Sequence, residues 1–161
     1  MEEIDSCKYL YLASLGEPEE GGLKLVVHEA RVGGAVDENV LATESLPEVR
    51  SLLQQCNTIA HEPGCRVFTL YWPSFIAYAV ENESYARNDE AAESTGRLFR
   101  LHTKSAYLDY LSKATFASAD FPGPFKHWAV LCLDHIINVA STDEPAINFA
   151  VAQAGNTSLV P

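Results

Sequence analysis

The stretch Arg66–Tyr85, RVFTLYWPSFIAYAVENESY, restricts the fold more than any other part of the chain. From Val67 to Val80 it carries no formal charge, and Phe68, Tyr71, Phe75, Tyr78 and Tyr85 crowd it with rings. β-branched and aromatic residues at this density suit a pleated, buried surface better than a helix. The run is also too short and too aromatic for a membrane span. Trp72-Pro73-Ser74 interrupts it, because proline has no N–H to give to a ladder. The pattern therefore predicts two antiparallel strands, Arg66–Trp72 and Phe75–Ser84, at the centre of a sheet.

Other segments extend this picture. Lys8–Ser14 alternates loosely and reads as a short first strand, followed by the loop Glu17–Gly22. Leu23–Val32 places Leu23, Leu25, Val27 and Glu29 on one face and is read as a strand closed by Gly33-Gly34. Ser45-Leu46-Pro47-Glu48 has capping-box spacing with proline in the first turn, which predicts a helix over Leu46–Gln55. Glu62-Pro63-Gly64-Cys65 has the type II signature and is expected to join Thr58–His61 to the central run as a hairpin. Arg87–Gly96 is a polar connection, and Arg97–His102 returns as a strand. Ser105 caps a helix over Ala106–Thr115, with Tyr107, Leu108, Leu111 and Ala114 as its buried stripe. Lys126–Ala140 is apolar on both faces and reads as a second buried strand beside the first. Ile147–Val151 adds an edge strand, and Gly155–Pro161 reads as a loose tail.

The expected fold is thus α+β. Residues 1–154 form a single domain, mainly an antiparallel sheet of about five to seven strands with two short helices packed on it. A chain of 161 residues buries roughly 70% of its unfolded surface, so neither disulfide nor metal is required for a core. The start MEEIDSCKYLYLASLG lacks a basic n-region, which predicts a cytoplasmic protein with Cys7, Cys56, Cys65 and Cys132 reduced. The sequons at Asn82 and Asn156 are then not expected to carry glycan.

The net charge of −11 is uneven. Residues 1–48 hold eleven acidic against three basic side chains, a balance of −8, and the remainder holds only −3. Such a surface repels phosphate backbones and anionic lipid, so neither nucleic acid nor membrane is an expected partner. It favours encounter with a basic protein, for which Glu17, Glu19, Glu20, Asp37 and Glu38 are the candidate contacts.

Catalytic signatures are sparse. His61-x-x-x-Cys65 straddles a turn, and Cys132-x-x-His135 on one strand would send its side chains to opposite faces, so no metal site is expected. There is no G-x-S-x-G elbow, P-loop or G-x-G-x-x-G, and no cofactor is implied. The apolar neighbours of Cys132 predict an inert thiol. Asp134, inside an apolar run, is expected to be buried and paired. The most site-like group is Glu81, Glu83 and Tyr85 set against Arg97, Arg100 and His102. Should Arg87–Gly96 bring them together, an anion would sit beside a glutamate in a pocket lined by Tyr71, Tyr78 and Trp128. Ordinary cross-strand ion pairing is the competing explanation.

In size and charge only, the chain resembles the small acidic immunity and antitoxin proteins of bacteria. That resemblance implies a non-enzymatic interaction protein, and no residue is carried over from it. The alternative is a small-molecule binding protein or hydrolase at Glu81, Glu83, Arg97, Arg100 and His102. The chain is expected to be a monomer or homodimer, the latter through an exposed aromatic sheet face.

Overall fold

The computed structural model describes residues 1–153 and is an α+β fold built on antiparallel sheet. Its elements run α1 (Glu2–Asp5), β1 (Tyr9–Gly16), β2 (Leu23–Ala35), α2 (Glu38–Thr43), α3 (Pro47–Leu53), β3 (Asn57–Ala60), β4 (Arg66–Trp72) and β5 (Ala77–Asn82). A 3₁₀ turn at Glu83–Tyr85 follows, then β6 (Glu93–Thr95), β7 (Phe99–Lys104), α4 (Ala106–Ala114), β8 (Lys126–Leu131), β9 (His135–Ser141) and β10 (Ala146–Val151). The expected tail, Gly155–Pro161, lies outside the described residues, as does the sequon at Asn156. Among the described residues no helix is long and apolar enough to cross a membrane.

The strands divide between two five-stranded sheets, which corrects the single sheet expected from the sequence. The first has the order β1-β2-β4-β10, with β3 also paired to β2, and the second has the order β5-β9-β8-β7-β6. Both face one core: Leu23, Leu25, Val27, Phe68, Leu70 and Trp72 from the first meet Phe99, Trp128, Val130, Ile137 and Val139 from the second. β4 and β5 are therefore not partners. Pro73-Ser74 ends one ladder and lets the chain cross to the other sheet. The crossing is pinned beside the return crossing at Asp143: Ser74 Oγ donates to Asp143 Oδ2 at 2.5 Å, and Ser141 Oγ donates to the Ser74 carbonyl at 2.7 Å.

Three further expectations need correction. Lys126–Ala140 is a hairpin of β8 and β9, in which Leu131 pairs with Ile136 and Cys132 N–H donates to the His135 carbonyl at 2.8 Å. Asp134 is therefore exposed at the tip, 3.0 Å from its neighbour His135. The Glu62–Cys65 turn forms, with Gly64 at φ +90 and Cys65 N–H donating to the Glu62 carbonyl, but it makes no hairpin. Both β3 and β4 run antiparallel along β2, with Ala60 opposite Arg31 and Val67 opposite His28, so the turn is an excursion within one interrupted strand. Third, Leu46 rather than Ser45 occupies the N-cap of α3 and makes no side-chain cap, so the capping box is not used. β2 likewise runs through Gly33-Gly34 to Ala35.

Other expectations hold. β4 matches Arg66–Trp72, and Leu23, Leu25, Val27 and Glu29 of β2 are all buried on one face. β10 is an edge strand on β4, and Ser105 caps α4 by accepting from Leu108 N–H at 3.1 Å.

Candidate functional site

Glu81, Arg100, His102, His127 and Asn138 gather on the outer face of the second sheet, away from the core. β5 and β6 are its opposite edges, so the connection between them must traverse a five-stranded sheet, roughly 19 Å at ordinary strand spacing. Residues 86–92 cross that face and are tied down by Asp89, which accepts from Ala106 N–H at 2.8 Å and Ala91 N–H at 3.1 Å. Those two bonds, the one from Ala106 the stronger, hold the Asp89 carboxyl below its ordinary value. Between this crossing and the first turn of α4 lies a cleft of about 510 Å³.

Strand alternation decides what the cleft contains. Arg100 and His102 share the outer face of β7, while Phe99 points into the core. In register, Arg100 is opposite Ala129, which is opposite Asn138, and His102 is opposite His127. The two imidazoles stack at 4.5 Å between centroids, and Tyr107 tilts onto His127 at 4.9 Å.

A hydrogen-bonded chain runs diagonally across the sheet. Asn138 Nδ2 donates to Glu81 Oε1 at 2.8 Å, His127 Nε2 lies 2.9 Å from Asn138 Oδ1, and Ser105 Oγ lies 2.9 Å from His127 Nδ1. A carboxylate only accepts, so the Asn138 amide nitrogen faces Glu81 and its oxygen faces His127. His127 Nε2 must then carry the proton. Its Nδ1 is left as an acceptor for the Ser105 hydroxyl, whose oxygen also accepts from the backbone of α4. One exposed carboxylate thereby orients three side chains.

Burial lowers the pKa of His127 to about 4, and the neighbouring His102 adds to the effect, while the bond to Asn138 opposes it. His102 is also lowered, by burial and then by Arg100, while a bond to the Lys104 backbone and the charge of Asp89 oppose this. Burial raises the Tyr107 phenol to about 12. The neutral imidazole of His127 has a consequence for stability. Its folded pKa lies below the ordinary 6.5, so its contribution is complete above that value and is lost as pH falls toward 4. The expected loss is up to about 3 kcal/mol, from the spacing of the two values. Urea denaturation of the wild type and His127→Gln between pH 7 and 4 checks this, because the variant should lack that part of the slope. Equal slopes would refute it.

Among the described residues, two polar atoms in the cleft are buried without a partner: His102 Nδ1 and Tyr107 Oη. Arg100 uses its Nε–H on the Arg97 carbonyl at 3.1 Å and has no salt bridge among the described residues.

Of the residues singled out from sequence, Glu81, Arg100 and His102 meet in this cleft. Glu83 does not; the strand stops at Asn82, and the 3₁₀ turn carries Glu83 to a neighbouring slot. Tyr85 is 88% exposed on that turn. Arg97 reaches back to the carbonyls of Asp5 and Cys7 and anchors the amino-terminal segment. Trp128 points into the core, 6.3 Å from Trp72 between ring centroids. Tyr71 lies on the first sheet, and Tyr78 donates to Glu17 at 3.2 Å, so neither lines the cleft. Sequence reading missed Ser105, Tyr107, His127 and Asn138 as members of the site.

The acidic candidates are all exposed but separate into two groups. Glu17, Glu19 and Glu20 precede β2, whereas Asp37 and Glu38 follow it. A strand of 13 residues, roughly 40 Å long, lies between them. Among the described residues no three His, Cys, Asp or Glu side chains gather in a metal-binding arrangement. No family model, curated protein or solved structure matches the chain.

Proposed function

We propose that the protein binds a small anionic molecule in the outer-face cleft of the second sheet. The observation that carries this reading is the Arg100 guanidinium, which among the described residues has no carboxylate partner and lines a concavity that also holds His102 Nδ1, likewise without a partner there. Buried polar groups without partners are uncommon in folded proteins, and a site that supplies their partner is a straightforward account of them. Arginine presents a planar fork of donors that fits a carboxylate or phosphate. Tyr107 and the two histidines supply flat surface, and the Tyr107 hydroxyl supplies a further donor. Glu81 sits at the far end of the hydrogen-bonded chain, where it sets the orientation of Asn138 and His127.

The test is a titration with acetate and with inorganic phosphate, followed by heteronuclear NMR. Shifts are expected at Arg100, His102 and Tyr107, and Arg100→Gln should weaken binding about ten- to a hundredfold, the worth of one charge-assisted hydrogen bond. Lys113→Gln, on α4 but outside the cleft, should leave it unchanged. Binding by neither anion, or equal binding by both variants, would overturn the proposal.

Interaction with a basic partner, in the manner of an immunity or antitoxin protein, comes second. The charge asymmetry favours it, but its candidate contacts occupy opposite ends of β2. A partner would have to span that strand or use one end alone.

A further inference from the structure

The outer face of the second sheet is graded, and the gradient bears on the kind of anion it takes. Successive rows across the strands run from His102–His127–Ala140, through Arg100–Ala129–Asn138, to Leu98–Leu131–Ile136. The last row is held together by Leu131 N–H donating to the Leu98 carbonyl at 2.8 Å and by the pairing of Leu131 with Ile136. Leu131 and Ile136 also line a second concavity of about 200 Å³, which continues past the hairpin tip between Leu10, Leu98, Cys132 and Leu133. Its charged groups are Lys8 and Glu83, and Tyr9 also lines it. A polar cleft holding the Arg100 guanidinium, which has no salt bridge among the described residues, thus opens, over one pair of aliphatic side chains, into an apolar slot.

We infer that the ligand is a single-chain amphiphile: a carboxylate held by Arg100 and His102, with an alkyl tail laid over Leu131 and Ile136 into the slot. This rests on the anion-binding reading of the cleft and adds the tail. The charge of the head fits Arg100, which, like Arg87 on the cleft wall, has no salt bridge among the described residues, and the tail fits the aliphatic row beside Arg100. Same-face positions along a strand are roughly 7 Å apart, so the tail must be longer than that to pass Leu131 and enter the slot. The covering of apolar surface supplies the affinity, and the arginine supplies the orientation.

Calorimetric titration of the wild-type protein with acetate, octanoate and 1-octanol, each below its aggregation threshold, separates the two parts. Octanoate is expected to bind at least about tenfold more tightly than acetate, because each buried methylene adds affinity. It should also exceed 1-octanol by about tenfold, the worth of a charged head on Arg100. The methyl resonances of Leu98, Leu131, Leu133 and Ile136 should move with octanoate and stay in place with acetate. Acetate and octanoate binding alike would overturn the inference while leaving the anion cleft intact. Octanol matching octanoate would show that the head is not recognised, and failure of all three would remove both readings. Leu131→Asn, checked for folding by its NMR spectrum, should reduce octanoate binding to the level of acetate.

Discussion

Glu29→Ala is expected to destabilise the fold by about 3–5 kcal/mol, the range for removing one partner of a buried ion pair. Glu29 lies on the core face of β2 and is only 4% exposed. Its Oε2 accepts from Arg66 N–H and Nε–H, both at 2.9 Å, and its Oε1 accepts from Arg31 Nη2 at 3.0 Å and Arg66 Nη2 at 3.3 Å. Arg66 Nη2 also lies 3.2 Å from the buried Cys7 sulfur, and His61 Nδ1 lies 2.8 Å from the Glu29 carbonyl. The carboxylate therefore closes the gap that the Glu62–Cys65 excursion leaves between β3 and β4. Without it, Arg66 loses its counter-charge and its own N–H loses an acceptor. Arg31 is half exposed and can turn to water, so Arg31→Ala should cost less than about 1 kcal/mol. Urea denaturation at pH 7 distinguishes the two, and a Glu29→Ala loss no larger than that of Arg31→Ala would refute the assignment.

The same residue predicts acid sensitivity in a definite window. Burial alone would raise its pKa, but the hydrogen bonds from the Arg66 side chain and backbone, with help from Arg31, outweigh that and bring it from 4.5 to about 2. A carboxyl group lowered in this way contributes its stability fully above the ordinary value and loses it as pH falls toward 2. The contribution is about 3 kcal/mol. Wild-type stability should therefore fall in two steps on acidification, the first from His127 and the second from Glu29, and Glu29→Ala should show only the first.

Much of this arrangement was legible from the chain, and the missing parts share a physical cause. Alternation along a strand tells which side chains share a face, and it did so for Leu23, Leu25, Val27 and Glu29 and for β4. It does not tell which strand lies alongside. Pro73 correctly marked the end of a ladder, but a hairpin and a crossing to a second sheet break a ladder in the same way. The hairpin at Cys132–His135 was hidden because its turn has no glycine, proline or asparagine, and its strands are apolar on both sides of it. Asp134 was the one available signal: a carboxylate in an apolar run can mark a tip in water instead of a buried pair.

The site was legible in the same partial way. Glu81, Arg100 and His102 stand out as charged or titratable residues flanking a polar connection. Asn138 and His127 become neighbours only through the register of β8 on β9, and Ser105 was already accounted for as a helix cap. A hydroxyl that caps a helix can also donate to an imidazole. In the structure it does both.

Trp72→Ala is expected to cost about 3–5 kcal/mol, because the ring is fully buried between the sheets and a cavity of that size cannot collapse. Trp72→Phe should cost much less. Among the described residues the indole Nε1–H is buried without a partner, so removing it relieves a desolvation penalty of about 1–3 kcal/mol that offsets part of the lost packing. Trp128, 2% exposed on the opposite sheet, meets Trp72 edge-on at 65° between ring planes. Aromatic pairs in that geometry couple by about 0.5–1.5 kcal/mol beyond the area they bury. A double-mutant cycle on Trp72→Ala and Trp128→Ala, read by urea denaturation, should therefore return a coupling in that range. Costs that simply add would mean the rings are not in contact, and the two sheets would then not share a core at this point. With the sheets apart, the inner face of β8 would lose its cover, and the register that brings His127, Asn138 and Arg100 together on the outer face would lose its support.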